Sequence, residues 1–189
     1  MTYPEKISKR LRELRYLRPL ADVSCVGTGA NFECGSFVRY SLAIEDSAIK
    51  DISVQTNGCG YMTAAADILA EKLISRQLTD LHGLKNDELI ELIYSALGEM
   101  SDLRRDCIAA CIEAFRSALS AYRIARIDEF SGEKALICTC FSVTEERVEA
   151  VIRETSAETV DDVADTCNAG SGCGSCRMMI EEMIDGRLR

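Results

Sequence analysis

The segments Leu136–Val148, LICTCFSVTEERV, and Asn168–Ile180, NAGSGCGSCRMMI, each contain a tight pair of cysteines. The first pair is a C-x-C and the second a C-x-x-C, and together they consist of Cys138, Cys140, Cys173 and Cys176. Clustered thiols of this kind favour a metal site over core packing. Glycines around the second pair allow the backbone to wrap closely around a ligand and to point amides at sulfur. Four thiolates suit either tetrahedral zinc or an iron–sulfur cluster, and the spacing alone leaves both open.

The residues around these pairs predict a small, mostly helical domain. TEERVEAVIRET predicts a helix capped by Thr144, ETVDDVADT a second helix capped by Thr159, and CRMMIEEMI a third that begins at Cys176. A unit this small has little core, and a bound metal is one of the few ways to stabilise it. The polar segment DEFSGEK, 128–134, interrupts the helical periodicity, so we place a linker there between domains at 1–127 and 135–189.

The first domain is predicted to mix strands and helices. FECGSFVRYSLAIED and AIKDISVQTNGCG partly alternate apolar and polar residues on either side of a turn at Asp46-Ser47, which predicts an antiparallel hairpin. From Tyr61 onward the apolar period becomes helical, with Asn86 as a candidate cap. The buried stripe of the last helix consists of Ile108, Ile112, Phe115, Leu119 and Tyr122. We therefore expect an α+β chain, with a small antiparallel sheet and helices followed by a mostly helical metal-binding domain.

Composition and charge narrow the function classes. A net charge of −9 argues against a nucleic-acid surface, and no apolar run is long enough to cross a bilayer. The start of the chain lacks the apolar stretch of a secretory signal, so we expect a cytoplasmic protein whose ten cysteines stay reduced. Residues 1–20 are basic and predict an amphipathic helix, with a solvated basic face favoured over a partner-docking or targeting helix. The apolar face of that helix contains Ile7, Leu11, Leu14 and Leu17.

Three further cysteines lie at predicted junctions between elements. Cys34 precedes a strand, Cys59 stands between a strand and a helix, and Cys107 lies near a helix start. Glycines beside the first two indicate exposed turns rather than core positions. The helix that follows Cys59 favours its thiolate form. Three thiols on loops and helix ends can converge on a partly open site.

The second domain has a recognisable pattern. Residues 137–184 resemble the bacterioferritin-associated-ferredoxin type of 2Fe-2S domain, through the C-x-C, two short helices and a Gly-rich C-x-x-C that opens a third helix. The resemblance implies a permanent 2Fe-2S cluster, and it leaves Cys167 outside the ligand set as a packed or half-exposed thiol. The implied ligands are Cys138, Cys140, Cys173 and Cys176.

Residues 1 to about 124 resemble the IscU/NifU family of iron–sulfur assembly scaffolds. The resemblance rests on VGTGANFECGS before a strand, on TNGCG before an Ala-rich helix, and on RRDCIAACIEAFRSALSAY as the last helix. In such scaffolds three cysteines hold a cluster while it is built and then release it, which implies this role for Cys34, Cys59 and Cys107. A scaffold domain followed by a 2Fe-2S domain is similar to the first two parts of NifU.

This chain departs from the scaffold family near the implied site. Ser36 stands where the family usually has an aspartate, Asp106 stands where it has a histidine, and the chaperone-recognised Leu-Pro-Pro-Val-Lys segment is missing. Asp106 is therefore either a metal ligand, which iron or zinc could accept, or a residue that caps or solvates the helix start. Cys111 is either a packing residue or a spare ligand. Cys25 is expected to pack, and His82 to be a turn residue.

The resemblances imply a scaffold for cluster assembly that is not an enzyme. A cysteine desulfurase would deliver sulfur to the N-terminal thiols, iron would join it, and the cluster would pass to apo iron–sulfur proteins. A homodimer is a further possible assembly, and no nucleic acid or membrane is expected. One alternative is an electron-transfer or redox-regulatory 2Fe-2S protein whose N-terminal domain is a docking module, which the departures at Ser36 and Asp106 favour. Another is a protein whose zinc sites are structural.

Overall fold

The computed structural model describes residues 3–81, 83–101, 104–128 and 135–187. The predicted linker lies outside the described residues from position 129 onward, and so does His82. The described residues form two compact units, the first ending at Tyr122 and the second beginning at Arg123, with Thr79–Leu81 and Gly83 grouped with the second. Among the described helices, none is long and apolar enough to cross a membrane.

The first unit combines a three-stranded antiparallel sheet with helices, and the α+β prediction is confirmed. The strands are β1 Cys25–Asn31, β2 Ser36–Glu45 and β3 Ala48–Thr56, in the order β1-β2-β3. The helices before the predicted linker are α1 Glu5–Arg12, α2 Gly60–Leu73, α3 Leu78–Leu81, α4 Asn86–Leu97 and α5 Arg105–Asp128. One face of the sheet is buried against α2 and α5, where the rings of Tyr40 and Phe115 meet edge-on at 6.4 Å.

The β2–β3 hairpin forms where the sequence predicted it. Asp46 and Ser47 both have positive φ, 51° and 58°, and Glu45 pairs with Ala48 across this two-residue turn. Positive φ at both central residues matches the right-handed twist of the strands. Strand β1 was not predicted, because its residues CVGTGAN include two glycines and lack a strong apolar alternation. Pairing with β2 over its whole length makes this segment a strand.

Helix α5 lies directly against the backbone of β1. A Cβ atom added at Gly27 would stand 2.0 Å from the amide nitrogen of Ala118, and one added at Gly29 would stand 2.1 Å from the carbonyl oxygen of Ala110. Both glycines are therefore required by close approach of the helix. Gly27 faces Ala118, and Gly29, which is later in the strand, faces Ala110, which is earlier in the helix. The end of β1 therefore lies near the start of α5.

The basic N-terminal segment does not form the long helix that its apolar spacing predicted. α1 ends at Arg12. Arg10 is not part of a solvated face, because its guanidinium is ion-paired with the fully buried carboxylate of Asp67 in α2. Asp67 also accepts the backbone N–H groups of Arg15 and Tyr16, at 3.0 and 2.7 Å. A buried carboxylate requires such complete pairing, so α2 determines the path of this segment.

The predicted cap at Asn86 is wrong by one residue. Asn86 is the first residue of α4, and Lys85 occupies the cap position. The side-chain oxygen of Asn86 instead accepts a hydrogen bond from Nε of Arg116 in α5, at 2.8 Å. The carboxylate of Glu88 accepts the backbone N–H of Lys85 at 2.7 Å and satisfies the helix start. A tertiary contact has therefore replaced the local role of this asparagine.

The second unit is mostly helical, with a short hairpin at its start. It contains β4 Leu136–Cys138, β5 Val143–Thr144, α6 Glu145–Thr155, α7 Val160–Cys167 and α8 Arg177–Arg187. The predicted caps are confirmed, since the hydroxyls of Thr144 and Thr159 accept backbone N–H groups of their own helices at 3.3 and 3.2 Å. The small core includes Cys138, Cys140 and Cys176, so three of the four clustered cysteines are themselves core residues.

Candidate metal centres

Three cysteines of the first unit lie at the ends of elements that meet. Cys34 is in the turn between β1 and β2, Cys59 directly precedes α2, and Cys107 is in the first turn of α5. Because α5 packs on β1 in a fixed register, the end of β1 is brought to the start of α5. Residues that are far apart in the sequence thus share one corner of the unit.

Asn31, the last residue of β1, connects two of these cysteines. Its side-chain nitrogen lies 3.9 Å from Sγ of Cys107, and its side-chain oxygen accepts the backbone N–H of Glu33 at 3.0 Å. The second bond closes the turn that carries Cys34, whose Sγ lies 4.0 Å from the Asn31 carbonyl oxygen. Asn31 is itself buried. One side chain therefore holds both the Cys34 turn and the sulfur of Cys107.

The three thiols differ in exposure and acidity. Cys34 is exposed, Cys59 is half-buried, and Cys107 is only 2% exposed. The hydroxyl of Ser36 lies 3.1 Å from Sγ of Cys34, and its hydrogen bond to the thiolate lowers the pKa of that cysteine. Burial raises the pKa of Cys107, and the charge and side-chain contact of Cys59 raise it further. Cys59 and Cys107 therefore lie within reach of each other, and Cys34 is their exposed neighbour.

Two tyrosines and an arginine surround the start of α2. The backbone N–H of Gly60 donates to the hydroxyl of Tyr3 at 3.1 Å, so one of the free amides of this helix end is already bonded. The ring of Tyr3 meets that of Tyr61 edge-on, with centroids 5.3 Å apart. On the Tyr61 ring lies the guanidinium of Arg104, with its carbon 4.8 Å from the ring centroid. A positive charge is thus held next to the cysteine corner.

The other candidate residues of the first unit occupy different surroundings. Asp106 is exposed and lines a cavity of about 320 Å³ together with residues of α4, including Asp87 and Tyr94. Cys111 is fully buried, and its thiol donates to the carbonyl oxygen of Cys107 at 3.2 Å, as a packing residue would. Cys25 is also buried, and burial raises its pKa to about 12.

In the second unit the four clustered cysteines contact each other in pairs. Sγ of Cys140 and Sγ of Cys173 are 3.4 Å apart. Cys173 is exposed, and the hydroxyl and backbone N–H of Ser175 lower its pKa to about 7. Burial raises the pKa of Cys176 to about 11, and the neighbouring Cys138 contributes to this shift. Each pair therefore joins one cysteine of the C-x-C to one of the C-x-x-C.

The surroundings of these cysteines fit a bound cluster. A Cβ atom at Gly172 would lie 3.1 Å from Sγ of Cys140 and 3.2 Å from the ring of Phe141, so the loop backbone passes close to this sulfur and a side chain there would be tightly packed. Among the described residues, Ser142 has a buried hydroxyl without a hydrogen-bond partner. Ser142 follows Cys140 by two residues, and hydrogen bonds to the sulfur atoms are among the features by which a protein tunes a bound cluster. Cys167 donates instead to the Val163 carbonyl at 3.3 Å and packs against the core.

Thiol contacts remain pairwise throughout the part of the chain that the structure describes. Within those residues, no set of three or more His, Cys, Asp or Glu side chains stands in an arrangement that could hold a metal ion.

Comparison with known proteins identifies the family of both units. The NifU-like N-terminal domain family matches residues 2–128, which is more than half of the chain. The chain belongs to this family. The BFD-like [2Fe-2S] binding domain matches residues 136–186 of the NifU-like chain. Both resemblances that the sequence motifs indicated are therefore confirmed.

Named relatives fall in the same group. The nitrogen fixation protein NifU of Nostoc sp. is 30% identical over 166 residues, covering 84% of this chain and 54% of that protein. The iron–sulfur cluster assembly scaffold protein IscU 1 of Archaeoglobus fulgidus is 26% identical, covering 71% and 88%. The N-terminal structure of a NifU-like protein from Brucella abortus is 18% identical, covering 68% and 96%, with a TM-score of 0.49. The chain spans about half the length of the NifU of Nostoc sp..

Several residues around the candidate cysteines were not predicted from the sequence. The role of Asn31 in its turn could have been predicted, because asparagine side chains commonly accept the backbone N–H two residues further on, here that of Glu33. The contact of Asn31 with Cys107 could not have been predicted, since this contact depends on the packing of α5. Tyr3 and Arg104 carry no local signal, because their partners lie in a different part of the sequence.

Proposed function

We propose that this chain is a scaffold on which iron–sulfur clusters are assembled before they pass to other proteins. The observation that carries the proposal is that one buried side chain, Asn31, contacts the sulfur of Cys107 and closes the turn that carries Cys34. Cys59 is the neighbour of Cys107 in a second pairwise contact. Membership in the NifU-like family and likeness to a named assembly scaffold support it. In this role the chain carries a cluster and is not an enzyme.

The proposed ligands of the transient cluster are the three thiolates, with Asp106 as a candidate fourth ligand. Thiolates are the ligands that iron–sulfur clusters prefer, and a carboxylate oxygen is harder and binds iron more weakly in such a set. Asp106 is exposed and adjacent to Cys107 in the first turn of α5. An exposed, weaker ligand suits a site that must release what it holds.

Sulfur delivery by a cysteine desulfurase would proceed at these thiols. A scaffold thiolate attacks the outer sulfur of the desulfurase persulfide, a new S–S bond forms, and the original S–S bond breaks with the desulfurase thiolate as the leaving group. The outer sulfur keeps its proton. Its later release as sulfide requires a pair of electrons from a thiol or another external reductant. Cys34 is the most accessible of the three thiols and the one with a lowered pKa, so it is suited to the attack.

The second unit is proposed to keep a permanent 2Fe-2S cluster, which supplies one-electron redox chemistry. Its ligands would be Cys138, Cys140, Cys173 and Cys176, while Gly172 permits close approach. In this arrangement residues 1–127 form the scaffold domain, 128–134 the linker and 135–189 the cluster domain. The proposed partners are a cysteine desulfurase and apo iron–sulfur proteins, in the cytoplasm.

Anaerobic purification of the full chain, followed by counting iron, acid-labile sulfide and zinc, tests the proposal. The permanent cluster should be lost from a Cys140→Ser variant and retained in the matched Cys167→Ser variant. Addition of desulfurase, cysteine and ferrous iron should then add a second, chelator-labile cluster, which Cys59→Ser should abolish without affecting the first. Stoichiometric zinc without sulfide would instead establish structural zinc sites.

A second candidate function is favoured by Ser36 and Asp106, which replace the aspartate and the histidine usual in the scaffold family. If the first domain has lost assembly and serves as a docking module, the protein is an electron-transfer or redox-regulatory 2Fe-2S protein. In that case the chain carries its permanent cluster, and no labile sulfide appears when desulfurase, cysteine and iron are supplied. The same sulfide measurement therefore separates the two functions.

A further inference from the structure

Strand β1 has an open outer edge. It lies at one end of the sheet, in the order β1-β2-β3, and pairs with β2 along its whole length. Among the described residues, no backbone hydrogen bond joins β1 to any element other than β2. The N–H and C=O groups along its outer edge are therefore available to another strand.

The opposite edge of the sheet, on β3, is covered by other parts of the chain. The backbone N–H of Val54 donates to the Tyr16 carbonyl at 2.8 Å, and that of Ile49 donates to the Arg76 carbonyl at 3.0 Å. Proteins also protect open edges with lysine, proline or a β-bulge. The residues of β1, CVGTGAN, include no charge and no proline, and the strand pairs with β2 without a shift in register. An edge without such protection is what binding of an extended segment requires.

A second copy of this chain does not fit on this edge. Helix α5 lies on β1 itself, since a Cβ atom at Gly27 would stand 2.2 Å from the carbonyl oxygen of Ala114, and one at Gly29 would stand 2.9 Å from its amide nitrogen. Antiparallel pairing of two β1 strands would place two α5 helices on the same face, separated by the strand spacing of about 4.8 Å. Packed helices need about 8–10 Å between their axes. A single extended segment brings no helix with it.

The surroundings of the edge indicate what such a segment should contain. Ala114 of α5 faces β1, and the next residue, Phe115, packs toward the core against Tyr40. The preceding residue, Glu113, is exposed and therefore lies on the opposite flank of α5, beyond the outer edge of β1. On the other face of the sheet, β1 presents the side chain of Val26, which is 42% exposed. Because the side chains of a strand alternate between faces, a cation facing Glu113 would alternate with an apolar residue beside Val26.

We propose that the outer edge of β1 binds an extended basic segment of a partner protein, which adds to the sheet as a fourth strand. Its lysine or arginine side chains lie toward α5, and the apolar side chains between them lie on the open face. The end of β1 leads into the turn that carries Cys34, so a segment that follows the strand brings its protein to an exposed thiol. Binding at this edge does not depend on the proposed function, because it involves no thiol and no metal.

Fluorescence polarisation with a labelled peptide, acetyl-Lys-Val-Lys-Val-Lys-Val-Lys-amide, tests the proposal on the full chain. Two derivatives carry N-methyl groups, one on its valine amides and the other on its inner lysine amides. The N–H groups of alternate residues point to opposite edges of a strand, so one derivative should lose binding and the other should keep it. Equal affinities of the two derivatives, or no saturable binding of the unmethylated peptide, would overturn the proposal.

Variants of the chain test the charge at the edge. Glu113→Lys should weaken binding of the unmethylated peptide about tenfold at low salt, the size expected for reversing one charge about 6 Å from a cation in water. High salt should reduce this difference. The matched Glu91→Lys variant makes the same change of charge at an exposed position of α4 and should leave the affinity nearly unchanged. An equal loss in both variants would mean unspecific attraction to an acidic chain and would contradict the proposal.

The stoichiometry of the complex separates the possible occupants. Analytical ultracentrifugation should show one chain bound to one peptide. A peptide-free dimer that the peptide dissociates would identify a second copy of the chain as the occupant and would overturn the proposal.

Discussion

The side-chain nitrogen of Asn31 lies 3.9 Å from the sulfur of Cys107, while the oxygen of the same amide closes the turn that carries Cys34. A single buried side-chain amide therefore connects the end of β1 with the start of α5. Without it, the two sulfurs would lie on elements that touch but would have no common polar anchor. Groups that orient metal ligands in this way usually matter nearly as much as the ligands.

Replacing Asn31 by Ala should weaken metal binding at the first site. The variant loses both the donor to Cys107 and the acceptor that closes the Cys34 turn, so we expect the Zn²⁺ affinity of this site to fall about tenfold. Competition with a chelator measures the affinity in protein whose second site is already filled. Asn86→Ala, which removes an asparagine bonded to Arg116 far from the thiols in sequence, is the matched control. Equal affinities in wild type and Asn31→Ala would show that the amide is not a positioning group.

A side chain at Gly29 of β1 should not be tolerated, because α5 packs directly on this residue. A methyl group there would meet the carbonyl of Ala110 at 2.1 Å, and neither backbone can move aside without separating β1 from α5. We expect Gly29→Ala to lower the free energy of unfolding by more than about 3 kcal/mol, measured by chemical denaturation. The same variant should fail to acquire the labile cluster. Val26→Ala, on the exposed side of the same strand, is the control and should change stability by well under half of that amount.

Local features of the fold were predicted from the sequence, whereas features that depend on tertiary packing were not. The hairpin turn at Asp46-Ser47 and the caps at Thr144 and Thr159 were predictable, because each depends on residues within a few positions. Strand β1 was missed, because Gly27 and Gly29 are needed for the close approach of α5 and have a low propensity for strands. Such close approaches between distant elements have no local signature in a single sequence.

The same distinction applies to the metal centres. The paired spacing of the C-terminal cysteines identified them at once, and the structure brings Cys140 to within 3.4 Å of Cys173. The N-terminal cysteines were found only through their places at junctions and through a family resemblance. The contacts of Asn31 with Cys107 and of Arg104 with Tyr61 come from packing that the sequence alone does not reveal.

The reactivity of Cys173 should depend on pH with a midpoint near neutrality in cluster-free protein. Its pKa is lowered to about 7, chiefly by the Ser175 hydroxyl, so alkylation should slow as the pH falls below that value and the thiolate is protonated. Ser175→Ala removes the donor to the thiolate and should move the whole profile to higher pH. Ser171→Ala, whose hydroxyl bonds a backbone carbonyl instead, should leave the profile unchanged.

Loading the second site with its cluster should abolish that reaction at any pH, since a ligating sulfur is not free to be alkylated. Rates followed by mass spectrometry of the peptide containing Cys173 give both results in one experiment. A loaded protein whose Cys173 still reacts at the cluster-free rate would contradict its role as a ligand.

The hydroxyl of Ser36, 3.1 Å from the sulfur of Cys34, should make the first site more retentive than a carboxylate would. A neutral hydroxyl donates to a thiolate but competes poorly for iron, whereas a carboxylate at the same place can displace the thiolate and open a path for an acceptor. We therefore expect Ser36→Asp to transfer its cluster to an apo-ferredoxin faster than wild type. The measurement is the anaerobic transfer rate to one acceptor, by the change in visible absorption.

Asp106 is the other oxygen ligand that could reach the iron, so the comparison is repeated in an Asp106→Ala background. If Asp106 already supplies the labile oxygen, Asp106→Ala alone should slow transfer, and Ser36→Asp should restore it. If Asp106 only solvates the start of α5, where it is exposed, its removal should leave both rates unchanged. Equal or slower transfer from Ser36→Asp in both backgrounds would mean that Ser36 is a neutral replacement. Retention would then depend on the buried sulfur of Cys107 and the amide that holds it.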